Sequence, residues 1–458
     1  MIENDAFKLL LINLFHLNPD DIANIFCTTF NNMMVLLVTL ADKHQACPYC
    51  GFTAPKIKEY VTKEITHSAL TTQKCIIKYR ARRYKCPCCG KTYYEFNPFV
   101  FKSQKISILT VHNILKDLKD FNETFTSVAR RYHVSPTSVS TIFDNHVDIG
   151  RNPLPEIINF DEVYAFKSEK SKYVCVLLDF KKQIPVDVLP NRKKEYLLNY
   201  FQKIPLEERK KVKYACSDMY EVYRDVVHKV FPCSCMLLDY FHLSQDFHRK
   251  MNEVRIKVMK GYKDDKASDE YYLLKKFNWL LFKNPEDEDK YGRLFDVERE
   301  RKYNSHFKSY MNYYDLRRKL LEINNDLTIC YSLKLELVDF YSKSTIDNAQ
   351  VNLEHLIRSC IDTNIEEMIA FSNNLINWKQ EIINSFTIVG TEYKVEADKG
   401  QVVVCNKKVN NAIIENRNKI IKCIKNNANG YTNWSRFRNR VMYVLDPNTT
   451  FSLEPREK

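Results

Sequence analysis

Ile157-Ile158-Asn159-Phe160-Asp161-Glu162 is a short β-branched and aromatic run that ends in two carboxylates. Pro153 and Pro155 break the helical pattern just before it. Tyr173 to Asp179 and Ile184 to Leu189 then read as a hairpin of two β-branched runs around Lys181-Lys182-Gln183. Further on, a helix is expected at about Lys193 to Lys203 and a strand from Lys213 to Ser217, followed by Asp218. Another helix ends before Pro232, and a strand from Cys235 to Leu238 precedes Asp239. Three strands followed by alternating helix and strand predict an α/β sheet with carboxylates at its strand ends.

Downstream of Phe241 the pattern is almost wholly helical to about Phe386. Charge-rich breaks at Lys263-Asp264-Asp265-Lys266 and from Pro285 to Lys290 read as solvated loops. β character returns at Val402-Val403-Val404-Cys405, and a final basic helix starts near Asn411. On that helix Glu415, Lys419 and Lys422 share a face, while Ile413, Ile414, Ile420 and Ile421 largely cover another. Asp161, Asp218 and Glu415, on two strands and one helix, describe a ribonuclease-H-like catalytic core. Phosphodiester chemistry of this kind uses two hard divalent cations about 4 Å apart, one for the attacking and one for the leaving oxygen. Taken singly, each acid also has an ordinary reading: Glu162 and Glu415 as surface charges, Asp218 as a helix N-cap.

Upstream, Cys47-Pro48-Tyr49-Cys50 and Cys86-Pro87-Cys88-Cys89 are two C-x-x-C knuckles, each followed by Gly. Four thiolates at this spacing predict a closed, structural Zn²⁺ site with ligands Cys47, Cys50, Cys86 and Cys89. Gly51 and Gly90 supply the positive φ that such tight turns use. Gly90-Lys91-Thr92 imitates the end of a phosphate loop, but Lys85 stands where that motif needs Gly. Between the knuckles, the run from Lys78 to Lys85 interleaves Arg80, Arg82 and Arg83 with Tyr, which suits phosphate contact and stacking or, equally, a solvated edge strand. The stretch from Phe125 to Val139 carries helix-turn-helix spacing. Val128, Tyr132 and Val139 would fill the wedge, with Ser135 as cap before Pro136 and His133 at the turn position usually held by Gly. Arg130, Arg131, Thr137, Ser138 and Ser140 would then face DNA; an ordinary helical hairpin is the other reading.

These segments sit in a chain of 458 residues with a net charge of +13, 15 Cys and only 8 Gly. The length supports two to four domains, and 45% hydrophobic residues exclude wholesale disorder. The longest apolar run, Met33 to Val38, falls short of the roughly 20 residues of a membrane helix. No signal peptide is recognised, so a cytoplasmic protein is expected, its Cys being core residues or metal ligands. The positive excess favours a polyanionic partner.

In this order, the segments resemble the DDE transposases of bacterial insertion sequences of the L-three (ISL) family. The resemblance rests on the cysteine knuckles, on Asp161-Glu162, and on Asp218-Met219-Tyr220 leading to Asp239-Tyr240-Phe241-His242. It rests further on Glu415 to Lys422, with Gly430-Tyr431 and Phe437-Arg438-Asn439-Arg440 beyond, and on Trp279 to Glu286. The match spans about residues 45 to 445. It departs from the family pattern at Phe160 and at Asn416, where Gly usually follows the catalytic Glu.

The resemblance implies Asp161, Asp218 and Glu415 as the catalytic, Mg²⁺-binding (or Mn²⁺-binding) triad for two metal ions. Glu162, Asp239 and His242 become accessory residues. It implies an α/β multidomain fold: a segment over 1–44, a zinc ribbon over 45–98 and a helix-turn-helix domain over 104–150. A ribonuclease-H-like core over 151–245 and 405–458 would be interrupted by a large all-helical insertion over 246–404. The expected function is binding of terminal inverted repeats, metal-dependent cleavage and strand transfer into target DNA. The partners would be double-stranded DNA and a second copy of the chain on paired ends, in a bacterial, nucleoid-associated setting. Arg80, Arg82, Arg83, Arg130, Arg131, Thr137, Ser138, Lys419 and Lys422 are the expected DNA contacts. The alternatives are a domesticated DNA-binding protein without catalysis and a nuclease on the same core.

Overall fold

The computed structural model describes residues 2–43, 46–68, 72–101, 104–166, 171–395 and 402–456. It is a mixed α/β protein with several sheets and many helices. Helix α1 (Ile2–Leu14) is followed by strands β1 (Ile22–Phe30), β2 (Met33–Leu40), β3 (Lys56–Thr66), β4 (Cys75–Lys85) and β5 (Thr92–Tyr94). These five strands form one sheet in the order β1-β2-β4-β3, with β5 on β4. Its apolar side, with Leu36, Ile65, Cys75, Ile77 and Tyr79, packs on Leu11, Ile12 and Phe15 of the α1 segment. Strand β1 was not foreseen: only Ile22 and Ile25 of its nine residues are buried, so it lacks the alternation that marks a strand.

Helices α2 (Ile108–Asp117), α3 (Phe125–Arg131) and α4 (Pro136–His146) follow. Thr124 caps α3 and Ser135 caps α4, whose first residue is Pro136. His133 takes φ 53° between them, the left-handed turn that a Gly would adopt more readily. Val128, Ala129, Tyr132, Val139 and Phe143 share one core with Tyr443.

The central sheet comprises β6 (Ile157–Val163), β7 (Val174–Asp179), β8 (Pro185–Leu189), β9 (Tyr214–Ser217) and β10 (Cys235–Leu238). Its order is β10-β9-β6-β7-β8. Strands β10, β9 and β6 run parallel, whereas β7 is antiparallel to both β6 and β8. Parallel neighbours need crossovers, here α5 (Lys194–Gln202) and α6 (Leu206–Arg209) before β9 and α7 (Glu221–Val230) before β10. Every residue of β7 is buried because both faces are covered. Cys175 and Leu177 point to a core completed by Leu197, Phe201, Tyr223 and Val227. Val174, Val176 and Leu178 point the other way, to Ile414, Ile421, Phe437 and Val441.

From Asp239 the chain forms α8 (Tyr240–Gly261), α9 (Asp269–Lys276), the short ribbons β11 (Glu288–Asp289) with β12 (Gly292–Arg293) and β13 (Lys302–Asn304) with β14 (Ser309–Met311), then α10 (Tyr313–Glu322), α11 (Asn325–Lys343), α12 (Ala349–Asp362), α13 (Glu366–Asn377) and α14 (Lys379–Asn384). An apolar core of its own, including Phe247, Leu281, Leu337, Leu353 and Phe371, holds the helices together. A ribbon of β15 (Ile388–Val395) and β16 (Val402–Lys408) leads to α15 (Ala412–Asn427) and α16 (Trp434–Leu445). The expectation of an all-helical stretch over 246–404 is therefore corrected. The ribbons β11–β12 and β13–β14 are two or three residues per strand and mostly exposed, and turn at Gly292 (φ 96°) and Lys308 (φ 51°), so hydrophobic periodicity had nothing to register.

The residues after α16 return to the α2–α4 helices. Lys119 Nζ donates to the carbonyls of Asp446 (2.9 Å) and Thr449 (2.7 Å) and to Thr449 Oγ1 (2.7 Å), and lies 4.4 Å over the Tyr443 ring. Replacing Lys119 by Met keeps its stem but removes all three hydrogen bonds, leaving the Asp446 carbonyl only its bonds from Thr449, and is expected to cost about 2 kcal/mol. Denaturant unfolding of the full chain measures it; an unchanged midpoint would contradict the clamp.

Candidate functional site

The central sheet places its acids at adjacent strand ends. Asp161 lies on β6, Asp218 directly after β9, and Asp239 directly after β10 at the N-terminus of α8, one turn before His242. Glu415 lies in the first turn of α15, which is pinned to β6 by buried amides. Asn159 Nδ2 donates to Asn411 Oδ1 (2.7 Å) and to the Asn410 carbonyl (2.8 Å), while Asn411 Nδ2 reaches the Phe160 carbonyl (3.3 Å). One turn beyond Glu415, Asn418 Nδ2 donates to Asp161 Oδ2 (2.7 Å), and the Glu162 N–H donates to Asp161 Oδ1 (2.7 Å).

The geometry is more specific than a simple triad. Asp239, His242 and Glu415 bring one ligand atom each within 4.8 Å of one another. His242 Nε2 stands 3.8 Å from Asp239 Oδ2 and 3.9 Å from Glu415 Oε1. Asp161 and Asp218 lie beside this cluster and feel each other and His242. Burial, then the Asp218 and Glu162 charges, push the Asp161 carboxyl up to about 7, although the Glu162 N–H and His242 oppose this. Burial and the Glu162 charge push Asp218 up to about 6, against His242 and Arg192. Burial raises Asp239 as well, with Glu415 adding to it and His242 and the Asn411 N–H opposing.

Asp218 Oδ1, Asp239 Oδ2 and His242 Nε2 are buried atoms without a hydrogen-bond partner. Buried lone pairs left unpaired among several acids fit a bound cation better than any protein partner the site provides.

Glu162 is committed elsewhere: it pairs with Arg192 and accepts from Tyr223 Oη (3.2 Å). Arg192 and Asn418 were not foreseen. Asn418 had a signal, since it sits at i+3 from Glu415 on the same helix face. Arg192 had none, because it is brought to the site by the return of β8.

The cysteine knuckles converge. Cys47 Sγ lies 3.7 Å from Cys89 Sγ, Cys50 Sγ lies 3.5 Å from Cys86 Sγ, and all four sulfurs are within 4.8 Å of one another. Gly51 (φ 73°) and Gly90 (φ 70°) make the turns. Backbone N–H groups of Phe52, Cys88, Cys89 and Lys91 point at the sulfurs, the arrangement that a thiolate cluster needs. The cluster can hold zinc.

The expected DNA contacts fare unevenly as free cations. Arg80 is exposed and stacks over Tyr60 (4.9 Å). Arg82 is an internal pin, donating to Glu95 Oε2 (2.9 Å) and to the carbonyls of Leu40 (3.2 Å) and Ala41 (3.3 Å). Arg83 pairs with Glu59 (2.7 Å). Arg130 is exposed, whereas Arg131 is held by Asp117 and Glu123. Thr137 is exposed and Ser138 half-buried, its hydroxyl 2.8 Å from Ser135 Oγ. Lys419 and Lys422 are both exposed on α15.

The family model described as Transposase, that of the ISL3-type DDE transposases, matches residues 158–397. The chain belongs to this family. The match begins within β6 and spans Asp161, Asp218, Asp239 and His242. The chain is also similar to the transposase for insertion sequence element IS1001 of Bordetella parapertussis. The two are 20% identical over 409 residues, covering 89% of this chain and 90% of that protein. Family membership implies nuclease and transferase activity on DNA. Among the described residues, no helix is long and apolar enough to cross a membrane.

Proposed function

We propose that the chain binds the terminal inverted repeats of an insertion sequence, cleaves the DNA at those ends and joins the freed 3′-hydroxyl to target DNA. The observation that carries this reading is the meeting of Asp161, Asp218, Asp239 and Glu415 at neighbouring strand ends and one helix, around unpartnered buried ligand atoms. The strand order, with three parallel strands and an antiparallel pair, supports a ribonuclease-H-like core, and the helices after Asp239 support an insertion within it.

Asp161, Asp218 and Glu415 would hold two Mg²⁺ or Mn²⁺ ions, with Asp239 and His242 as accessory groups. Bound there, the cations supply charge that activates the attacking oxygen and stabilises the leaving one. The chain's own part is positional. Asn418 fixes the Asp161 carboxylate, Arg192 pairs with Glu162 beside the cluster, and the Asn159–Asn411 lock sets Glu415 against β6. The cysteine-bearing segment with its zinc, and the α3–α4 helix-turn-helix presenting Arg130 and Thr137, would read the ends. Two copies would act on paired ends in the bacterial nucleoid.

Incubating the full chain with Mg²⁺ and a plasmid carrying the gene with its flanking DNA tests the reading. Breaks mapped to the element boundaries are the expected result. Breaks with no preference for the ends would make the protein a general nuclease, and binding without breaks a DNA-binding protein.

The raised carboxyls give a pH prediction. Between the ordinary value of 3.8 and about 6 to 7, the folded chain keeps protons that the unfolded chain has lost. Stability of the metal-free protein therefore falls as pH rises through that window. A cation must displace those protons, so the gain in Tm on adding Mg²⁺ is expected to be larger at about pH 8 than at about pH 5. Equal gains at both pH values, read by thermal melts, would contradict the assignment.

A further inference from the structure

A continuous run of rings and cations crosses the end of the central sheet next to the acids. Tyr164 directly follows β6 and Tyr173 directly precedes β7, so the strand pair that carries Asp161 delivers both rings to one edge. Their centroids are 5.7 Å apart at 74°. The Arg192 guanidinium lies 4.7 Å from the Tyr173 ring and 4.7 Å from the Tyr220 ring, and Tyr220 is two residues past Asp218. At the other end Lys425 lies 5.0 Å over Tyr164. Lys425 is ten residues beyond Glu415 on α15, about 15 Å along the helix axis.

Single cation–ring pairs are common on protein surfaces and need no ligand. This run differs in two respects. It links the helix of Glu415 to the loop of Asp218 without a gap, and its two central rings stay open, Tyr164 at 49% and Tyr173 at 40% exposure. The ion pair with Glu162 fixes the guanidinium between its two rings. Exposed rings set among cations are the chemistry by which proteins hold unpaired nucleotides: bases stack on the rings and phosphates meet the charges. Paired bases in a duplex present no free face to such a ledge.

We infer that Tyr164, Tyr173, Arg192, Tyr220 and Lys425 form a ledge that binds unpaired DNA strand beside the catalytic acids. The inference rests on the proposed action on DNA and adds to it a site for the strand that is opened at the cleavage point.

The test compares binding of the full chain to a fluorescein-labelled oligothymidylate of about twenty nucleotides and to a duplex of the same length, by anisotropy. The Tyr164→Ala/Tyr173→Ala variant is expected to lose about tenfold in affinity for the single strand while duplex affinity holds. Tyr173→Phe, which keeps the ring, is expected to bind as the parent does. Should the double variant fail to fold, as judged by its thermal melt, Tyr173→Leu serves in its place, with a smaller loss expected on the single strand alone. An unchanged single-strand affinity, or an equal loss on both ligands, overturns the ledge and leaves the transposase reading standing. A parent chain that binds neither ligand overturns that reading, and the ledge falls with it.

Discussion

Asp218→Asn is expected to abolish Mg²⁺-dependent cleavage of element ends, by about a thousandfold or more, while end binding persists. The substitution is nearly isosteric, so packing around β9 is kept. What changes is charge: a buried carboxylate next to Asp161 and Glu162 becomes a neutral amide. Asp218 is one of the residues that raise Asp161, so its removal lets the Asp161 carboxyl titrate lower. The metal-free variant is therefore expected to melt no lower than the parent, and above it at neutral pH. This separates loss of a ligand from loss of fold: cleavage disappears while Tm holds or rises. Retained cleavage would sink the assignment of Asp218. A collapsed Tm would show that the carboxylate is a structural group rather than a metal ligand.

The second large effect concerns the cysteines. Cys86→Ser is expected to release the zinc and to free both knuckles, because a structural zinc of this kind carries about 10 kcal/mol of folding free energy. The surrounding core is too small to replace it: Cys47 and Cys86 themselves make up half of a cluster completed by Tyr84 and Tyr93. The loss should stay local, because β4 continues into the separate apolar core of Leu36, Cys75 and Ile77. Metal analysis should find one zinc per parent chain and none in the variant. Limited proteolysis should cut the variant near residues 46–52 and 86–92 while the central sheet resists. A parent chain without zinc, or a variant as resistant as the parent, would contradict the site.

The two kinds of site differ in how far sequence reveals them, and the reason is locality. The C-x-x-C-Gly knuckles are complete within four or five residues each, so spacing alone predicts the cluster that the fold assembles. The strands that carry or precede Asp161, Asp218 and Asp239 were legible for the same reason, since a short run of mostly apolar residues comes just before each acid, although β6 runs two residues past Asp161 to Val163. Strand β1 was not, although Asn31 (φ 47°) and Asn32 (φ 57°) between it and β2 form a two-residue hairpin turn whose asparagines were the available signal. Arg82 illustrates the opposite limit. A basic residue in a basic run looks like a phosphate contact, and only the fold reveals that Glu95 and two backbone carbonyls hold it inside the sheet. The close approach of His242 to both Asp239 and Glu415 joins residues 173 positions apart, a separation that no local pattern encodes.

Helix α16 gives the molecule an order of assembly. Its Tyr443 completes the core of the α2–α4 helices, and its buried Arg440 donates to the Asp120 (2.8 Å) and Glu123 (2.7 Å) carbonyls just ahead of α3. Its Phe437 and Val441 meanwhile close one face of the central sheet. A ribosome makes residues 108–146 early, but their packing waits for a helix synthesised about 300 residues later, once every strand of the central sheet has emerged. Translation halted between β10 and α16 yields a polypeptide with an unfinished helical head and a half-bare sheet, a natural target for cellular proteases. Completion of the α2–α4 helices and of one face of the central sheet thus falls to one late helix.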